Sequence, residues 1–300
     1  FITIAGAVRL KYHKTDRSGN SYKRIGHLGE TKTYSRIIMK YEEFKAIYDR
    51  LNDYSDVERL SEETGLDKEL LNVIYTQRTV RDATKRYHVV KRNAPRLLRE
   101  WRTGSSLLSI ARRWNFPPIL TGLLLFQENG HSKKQFWKYV REPDSITDRR
   151  LRKEIIEITE ADTIYSPEGN DVQHRRGKWG EAKLQEWLDE QELTYQSEEE
   201  LRGKYSKTPD CLLAEPIKLN GRTINWIESK ASFGDKVEFR KNIRGQLAQY
   251  VELFGPGIVV YWFGHVDGLE CPPGVDIIDA SLCDLDCQKA GDDFCPEELP

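Results

Sequence analysis

Lys207-Thr208-Pro209-Asp210-Cys211-Leu212-Leu213-Ala214 and Thr223-Ile224-Asn225-Trp226-Ile227-Glu228-Ser229-Lys230 decide how this chain is read. The first is entered through a proline, and Asn220-Gly221 between the two is a strong two-residue hairpin signal. The spacing predicts a pair of antiparallel strands. Side chains alternate faces along a strand, so Ile224, Trp226, Glu228 and Lys230 share one face. Glu228 and Lys230 then project together at the strand end, and the hairpin returns Asp210 beside them. Two carboxylates and one ammonium converge. Oxygen-only donors of this kind suit Mg²⁺ or Mn²⁺, which take few protein ligands and keep waters and substrate phosphates. A lysine beside them can orient or deprotonate a water and offset charge on a phosphate. In outline this is a site for phosphodiester hydrolysis.

The flanking pattern alternates helix and strand. Residues 180–190 form a helix with Leu184, Trp187 and Leu188 on one face, and 193–196 a short strand. A helix over 237–254 carries the stripe Phe239, Ile243, Leu247, Tyr250 and Phe254, with Gln246 and Tyr250, four apart, on its sheet-facing side. The apolar run over 257–265 suits a buried central strand, and 275–279 an edge strand. The resulting order is αβββαβ.

Pro209-Asp210…Glu228-x-Lys230 resembles the PD-(D/E)xK nuclease pattern, and the element order resembles the restriction-endonuclease-like α/β core. Glu181, read in the first turn of the first core helix, stands where archaeal Holliday-junction resolvases carry a supporting acid. Gln246-x-x-x-Tyr250 is similar to the RecB-family addition to this fold. The longer block resembles the TPD-motif family, the codanin-interacting nuclease family of eukaryotes with its archaeal relatives. It comprises Thr208-Pro209-Asp210, Trp226 to Asp235, Phe254-Gly255-Pro256-Gly257 and Tyr261-Trp262-Phe263-Gly264. The likeness is strongest over 176–280 and weaker over 95–130.

That resemblance implies a metal-dependent endonuclease acting on DNA, with branched DNA as a candidate substrate. It implies Asp210 and Glu228 as metal ligands with the Ser229 backbone carbonyl, and Lys230 activating or positioning water. Glu181 would support the metal or its water. Gln246 and Tyr250 would hold the lysine or the scissile phosphate. Arg175, Arg176 and Lys178, read near a helix N-terminus, suit a phosphate, as do Lys236, Arg240 and Arg244. A homodimer would follow from symmetrical cutting of a four-way junction, and a codanin-like partner if the chain is eukaryotic. The alternative is a non-catalytic nucleic-acid-binding scaffold on a nuclease fold. An RNA-cleaving enzyme is a third reading, because metal chemistry is indifferent to the sugar.

The remaining half supplies charge. The chain has 300 residues, 38% hydrophobic and 32% charged, enough apolar material for a core and for about two domains. Residues 1–150 carry 30 Lys and Arg against 18 Asp and Glu, whereas 151–300 carry 17 against 30. Such asymmetry points to a polyanion partner for the first half. Residues 1–50 are expected to hold a basic β-hairpin (strands 7–12, 22–28 and 33–39) and then a helix. Residues 51–140 are read as tandem helix-turn-helix units. In the first, Asp67 caps a helix over 68–78 that presents Lys68, Asn72, Tyr75, Thr76 and Arg78 to DNA. The second, over 97–126, is apolar nearly all round its last helix and reads as structural. Residues 141–175, including a loop over 166–171, are read as a connector, and 176–300 as the nuclease domain with an acidic tail.

The longest near-continuous apolar stretch, 117–126, is too short for a membrane span. Five cysteines in a chain this long argue against a secreted disulfide scaffold. The expected location is intracellular: cytoplasmic in a prokaryote, nuclear and cytoplasmic in a eukaryote. Cys271, Cys283, Cys287 and Cys295 lack the close pair spacing of a zinc knuckle.

Overall fold

The computed structural model describes residues 37–285 and the backbone of 288–289. The expected hairpin strands 7–12 and 22–28, and Cys287, Cys295 and most of the acidic tail, lie outside the described residues. A two-residue strand, β1 (Ile38–Met39), leads into α1 (Tyr41–Arg50) and α2 (Ser55–Thr64). After the turn at Gly65, Asp67 caps α3 (Lys68–Arg102), accepting from the backbone N–H groups of Glu69 and Leu70 at 2.8 and 3.2 Å. This cap is the one the sequence predicts.

The length of α3 is not. Its 35 residues make a rod about 50 Å long at 1.5 Å per residue, joining what the sequence divides between two units. Ala83, Val90 and Leu97 join one core and Ala94 between them is buried too, so packing continues where a break was expected. Pro95 sits on the exposed side, where the carbonyl it leaves unbonded meets water.

Helices α4 (Leu107–Trp114), α5 (Pro118–Glu128), α6 (Lys133–Arg141) and α7 (Arg149–Ala161) close a helical core with the second half of α3. Ser106, Ser132 and Asp148 cap α4, α6 and α7. The stretch read as a connector is part of this core: Ile155 and Ile158 of α7 are buried in it. Buried Glu154 accepts from Trp101 Nε1 at 2.7 Å and from the Leu107 N–H at 3.0 Å. The expected loop over 166–171 is instead the start of α8 (Pro167–Glu190), capped by Ser166, with Pro167 at the first helical position.

The sheet follows: β2 (Tyr195–Ser197), a short α9 (Glu198–Leu201), then β3 (Cys211–Leu219) and β4 (Arg222–Lys230). Next come α10 (Lys236–Asn242), a π-turn over Ile243–Leu247, and α11 (Ala248–Phe254). The strands β5 (Gly257–Tyr261), β7 (Val275–Asp279) and β8 (Gln288–Lys289) complete it, with β6 (His265–Val266) apart from it. The main sheet is mixed, in the order β2-β3-β4-β5-β7, with β8 on β3. Pairing is antiparallel through β4 and parallel from β4 to β7. The hairpin turn has Asn220 at φ 50° and Gly221 at φ 75°, the two positive values that Asn-Gly supplies at least cost.

Helix α8 covers one face over Leu184, Trp187, Ile227, Ile258 and Val260; α10 and α11 cover the other over Trp226, Phe239, Tyr250, Val259 and Tyr261. Ile224 departs from expectation. The register of β3 on β4 shifts between Leu212 and Ile217, and Ile224, beyond that shift, joins the α8 face rather than Trp226.

The helical half is bolted to the sheet. β1 pairs with β6, and Phe44, Ile47, Leu60, Leu70 and Ile74 share one core with Phe233 and Val266. Phe44 stacks on Phe233, ring centres 5.2 Å apart. Gln77 of α3 pairs its side-chain amide with both backbone groups of Phe233, each at 3.0 Å. One turn on, Arg81 reaches Asp235 at 2.6 Å and Glu238 at 3.3 Å.

Candidate active site

The end of β4 carries Glu228, Ser229 and Lys230; the start of β3 brings Asp210 alongside. Asp210 Oδ2 accepts from the Ser229 N–H at 2.7 Å, and Glu228 Oε2 from the Asp210 N–H at 3.2 Å. Lys230 Nζ donates to Glu228 Oε1 at 2.5 Å and to Gln246 Oε1 at 3.1 Å. Glu228 is 2% exposed, so its charge is held by these partners rather than by water. The structure thus gathers Asp210, Glu228, Lys230 and Gln246 as the sequence predicts.

The electrostatics are those of crowded acids. Burial pushes the Asp210 carboxyl up to about 8; Glu228 and Glu181 add to the rise, while Lys230 and the Ser229 N–H oppose it. Burial alone would lower Lys230, but Glu228 and then Asp210 outweigh it and hold the ammonium above its ordinary value. Both carboxylates thus favour the ammonium form of Lys230, which donates to Glu228 and Gln246.

Gln246 falls inside the π-turn, a feature that recurs at functional sites. Tyr250 does not reach the lysine. Its hydroxyl donates to the Thr208 carbonyl at 2.7 Å, which pins the strand entry before Asp210. Burial raises its phenol well above the usual range.

Glu181 lies midway along α8, not in a first turn, because α8 begins at Pro167. It reaches the site because Gly180 lets the helix lie on the strand ends. A Cβ there would stand 2.8 Å from the Trp262 ring and 3.1 Å from Ser229 Oγ. The Ser229 hydroxyl accepts from Trp262 Nε1 at 2.8 Å. Glu181 and Asp210 line a cleft of ≈ 420 Å³ with Lys178, Glu198, Glu199 and Arg202.

The expected phosphate ligands scatter. Arg175, Arg176 and Lys178 are mid-helix, so no helix N-terminus assists them. Arg176 bonds Glu69 at 2.7 Å, Arg175 is exposed, and Lys178 is on the cleft. Lys236 lies over the Tyr41 ring at 5.1 Å, while Arg240 and Arg244 are exposed. On the first helix-turn-helix face, Lys68 pairs with Glu58, and Arg78 bonds the Tyr48 carbonyl and Asn52 Oδ1. Arg78 therefore ties α3 to α1.

Among the described residues no three His, Cys, Asp or Glu side chains form a metal cage. The donor set still fits a hard divalent cation. Mg²⁺ is held by one or two carboxylates while keeping its waters, and three acids against one lysine leave a surplus of negative charge. Sequence reasoning missed Gln77 and Arg81. Their only local signal is a polar pair four apart on α3, and their partners lie more than 150 residues away.

Residues 147–281 match the family model described as "Protein of unknown function TPD sequence-motif". These residues carry the similarity to the TPD-motif family. Every residue of the acidic site lies in this TPD-motif region. CDAN1-interacting nuclease 1 of Mus musculus and of Homo sapiens are each 34% identical to the chain over 173 residues, 55% of the chain and 62% of the relative. The protein of the same name from Danio rerio is 37% identical over 173 residues, 55% of the chain and 58% of the relative. The chain thus spans less than two thirds of the length of these curated relatives. No solved structure matches it. Among the described residues no helix is long and apolar enough to cross a membrane.

Proposed function

We propose that this chain is a metal-dependent DNA endonuclease on a restriction-endonuclease-like core, with Asp210, Glu228 and Lys230 as its PD-(D/E)xK triad. The observation that carries the reading is the network Ser229 N–Asp210, Glu228–Lys230–Gln246 at one end of the sheet, with Asp210 opening onto a cleft beside Glu181. The relatives named as nucleases support it.

Asp210 and Glu228, with the Ser229 carbonyl, are the groups that would hold Mg²⁺ or Mn²⁺. When bound, that ion would neutralise phosphate charge and favour ionisation of an attacking water. Glu228 and Gln246 fix the Lys230 ammonium, which can donate to a phosphate oxygen or to the attacking water. Tyr250 keeps Asp210 in place through Thr208. Glu181, at the mouth of the cleft, can accept a proton from a water there.

DNA is the proposed substrate, branched forms included, and two copies of the site would be needed to cut a four-way junction symmetrically. The names of the relatives make a codanin-type protein the partner to test, and an intracellular location goes with both. A labelled panel of duplex, single strand, flap, fork, four-way junction and RNA, with Mg²⁺ or Mn²⁺, tests the reading. Metal-dependent products lost in Asp210→Ala and Lys230→Ala are expected. Binding without cutting, unchanged in both variants, would sink it and leave a scaffold.

A further inference from the structure

Helix α3 changes character half-way along. Up to Arg81 it is fastened to the loop that follows Lys230; beyond Asp82 it faces solvent as a run of positive charge. Between Asp82 and Glu100 the chain holds six basic residues and no acidic one. Arg86 turns toward α4, bonding the Trp114 carbonyl at 3.3 Å. The other five, Lys85, Lys91, Arg92, Arg96 and Arg99, continue with Arg102, and all six are exposed; Lys85, Arg92, Arg96 and Arg99 lie opposite the buried Ala83, Val90, Ala94 and Leu97, while Lys91 and Arg102 flank them.

A helix face that merely meets water usually interleaves signs at three- and four-residue steps. In α2, Arg59 does so between Asp56 and Glu63. On α3, by contrast, Arg92, Arg96 and Arg99 form a like-charge column at the same steps, a spacing that weakens a helix unless an anion meets it. Of the six, only Lys85 and Arg96 have an ion pair among the described residues, to Asp82 at 3.6 Å and Glu100 at 3.1 Å. The cleft offers no substitute, since Glu181, Glu198, Glu199 and Asp210 outnumber Lys178 and Arg202 along its walls. The half that carries the site repels a polyanion.

We infer that this face of α3 is a rail that holds a nucleic-acid duplex by its phosphates and presents it to the site on the sheet. From Lys85 to Arg99 the rail runs about 21 Å, about six base pairs at 3.4 Å each. Gln77 and Arg81 fix the same helix to the loop after Lys230, so rail and site share one frame. From the nuclease reading the inference takes only the class of polymer.

The test is fluorescence anisotropy of the full chain with a labelled DNA duplex of about 20 base pairs, in EDTA, at salt between about 50 and 200 mM. Arg92→Gln/Arg96→Gln/Arg99→Gln, its helix content checked by circular dichroism, should bind at least about tenfold more weakly at low salt. Its slope of log affinity against log salt should be shallower by about 2.7, three contacts at about 0.9 each. The triple Arg→Lys variant should keep most of the binding, because point charge suffices for phosphate. An RNA duplex bound equally well supports the rail, since the backbone is what it reads. Overturning results are an unchanged affinity and slope in the glutamine variant, no duplex binding by the wild type, or displacement of the duplex by polyglutamate of equal charge. Without metal the result is independent of cleavage. Binding through α3 with no cutting on any substrate removes the nuclease reading and keeps the rail; cutting that survives the glutamine variant with binding intact does the reverse.

Discussion

The sheet half and the helical half are built on opposite electrostatic terms. The sheet half collects acids: Asp210, Glu228 and Glu181 face one another, and the Asp210 carboxyl titrates near 8 because burial and its neighbours disfavour the charge. The helical half collects bases; of its buried acids, Glu154 meets Arg150 at 2.7 Å, and Asp162 is held by the backbone N–H groups of Ile119, Ile164 and Tyr165. Local self-repulsion at one end of β4 is the cost of holding groups that a cation would satisfy. The clamp of Gln77 and Arg81 holds two surfaces of opposite sign in one frame.

The contrast breaks first at the triad. Lys230→Ala should lower the cleavage rate by about 10³-fold or more, measured under single turnover, with duplex binding in EDTA nearly unchanged because the acidic site does not hold the polymer. Loss of both together would show that the two halves do not divide the work. Next is the clamp: Arg81→Ala strands Asp235, 2.6 Å away and almost fully buried, without its partner. Removing one member of a buried pair costs about 3–5 kcal/mol, and the lower end is expected because Asp235 also caps α10. Urea unfolding reads the loss, and a change under about 1 kcal/mol would mean that the halves are joined by Phe44, Phe233 and their neighbours alone.

Gly180→Ala drives a Cβ against Trp262 and should cost about 1–3 kcal/mol. By moving Glu181 it should depress cleavage more than unfolding stability, a split that kcat against Tm would show. The last effect is a gain. With its folded pKa near 8 and an ordinary value near 3.8, Asp210 keeps a proton in the folded chain that the unfolded chain has released. Metal-free stability should therefore be fullest below about pH 4 and decline as pH rises through 8. Asp210→Asn removes that decline, raising Tm at pH 8 by about a few degrees with little change at pH 4. A Tm lower at pH 8 in the variant would refute the crowding of acids.

The contrast also governs what could be read from the residues alone. Period-two alternation, Asn220-Gly221 and the apolar run at 257–261 are local signals, and they bring Asp210, Glu228 and Lys230 together on sequence grounds alone. Asp67 as a cap was equally local. Two failures are of continuity. The helix expected to end at Arg78 runs on to Arg102, past a Pro95 that faces water, and Gly169-Asn170 reads as a loop although Ser166-Pro167 before it is a good helix start. The register shift that turns Ile224 over, and the embrace of Phe233 by Gln77, depend on partners far along the chain that no local window contains.

The π-turn before α11 has a consequence for lineage. It amounts to one residue inserted into an otherwise ordinary helix, and it is in that insertion that Gln246 meets Lys230. Deleting one position within 243–247 would swing whatever follows by about 100° relative to α10. A single codon gained would have been enough to give an ancestral helix its grip on the lysine, and a single codon lost would be enough to release it.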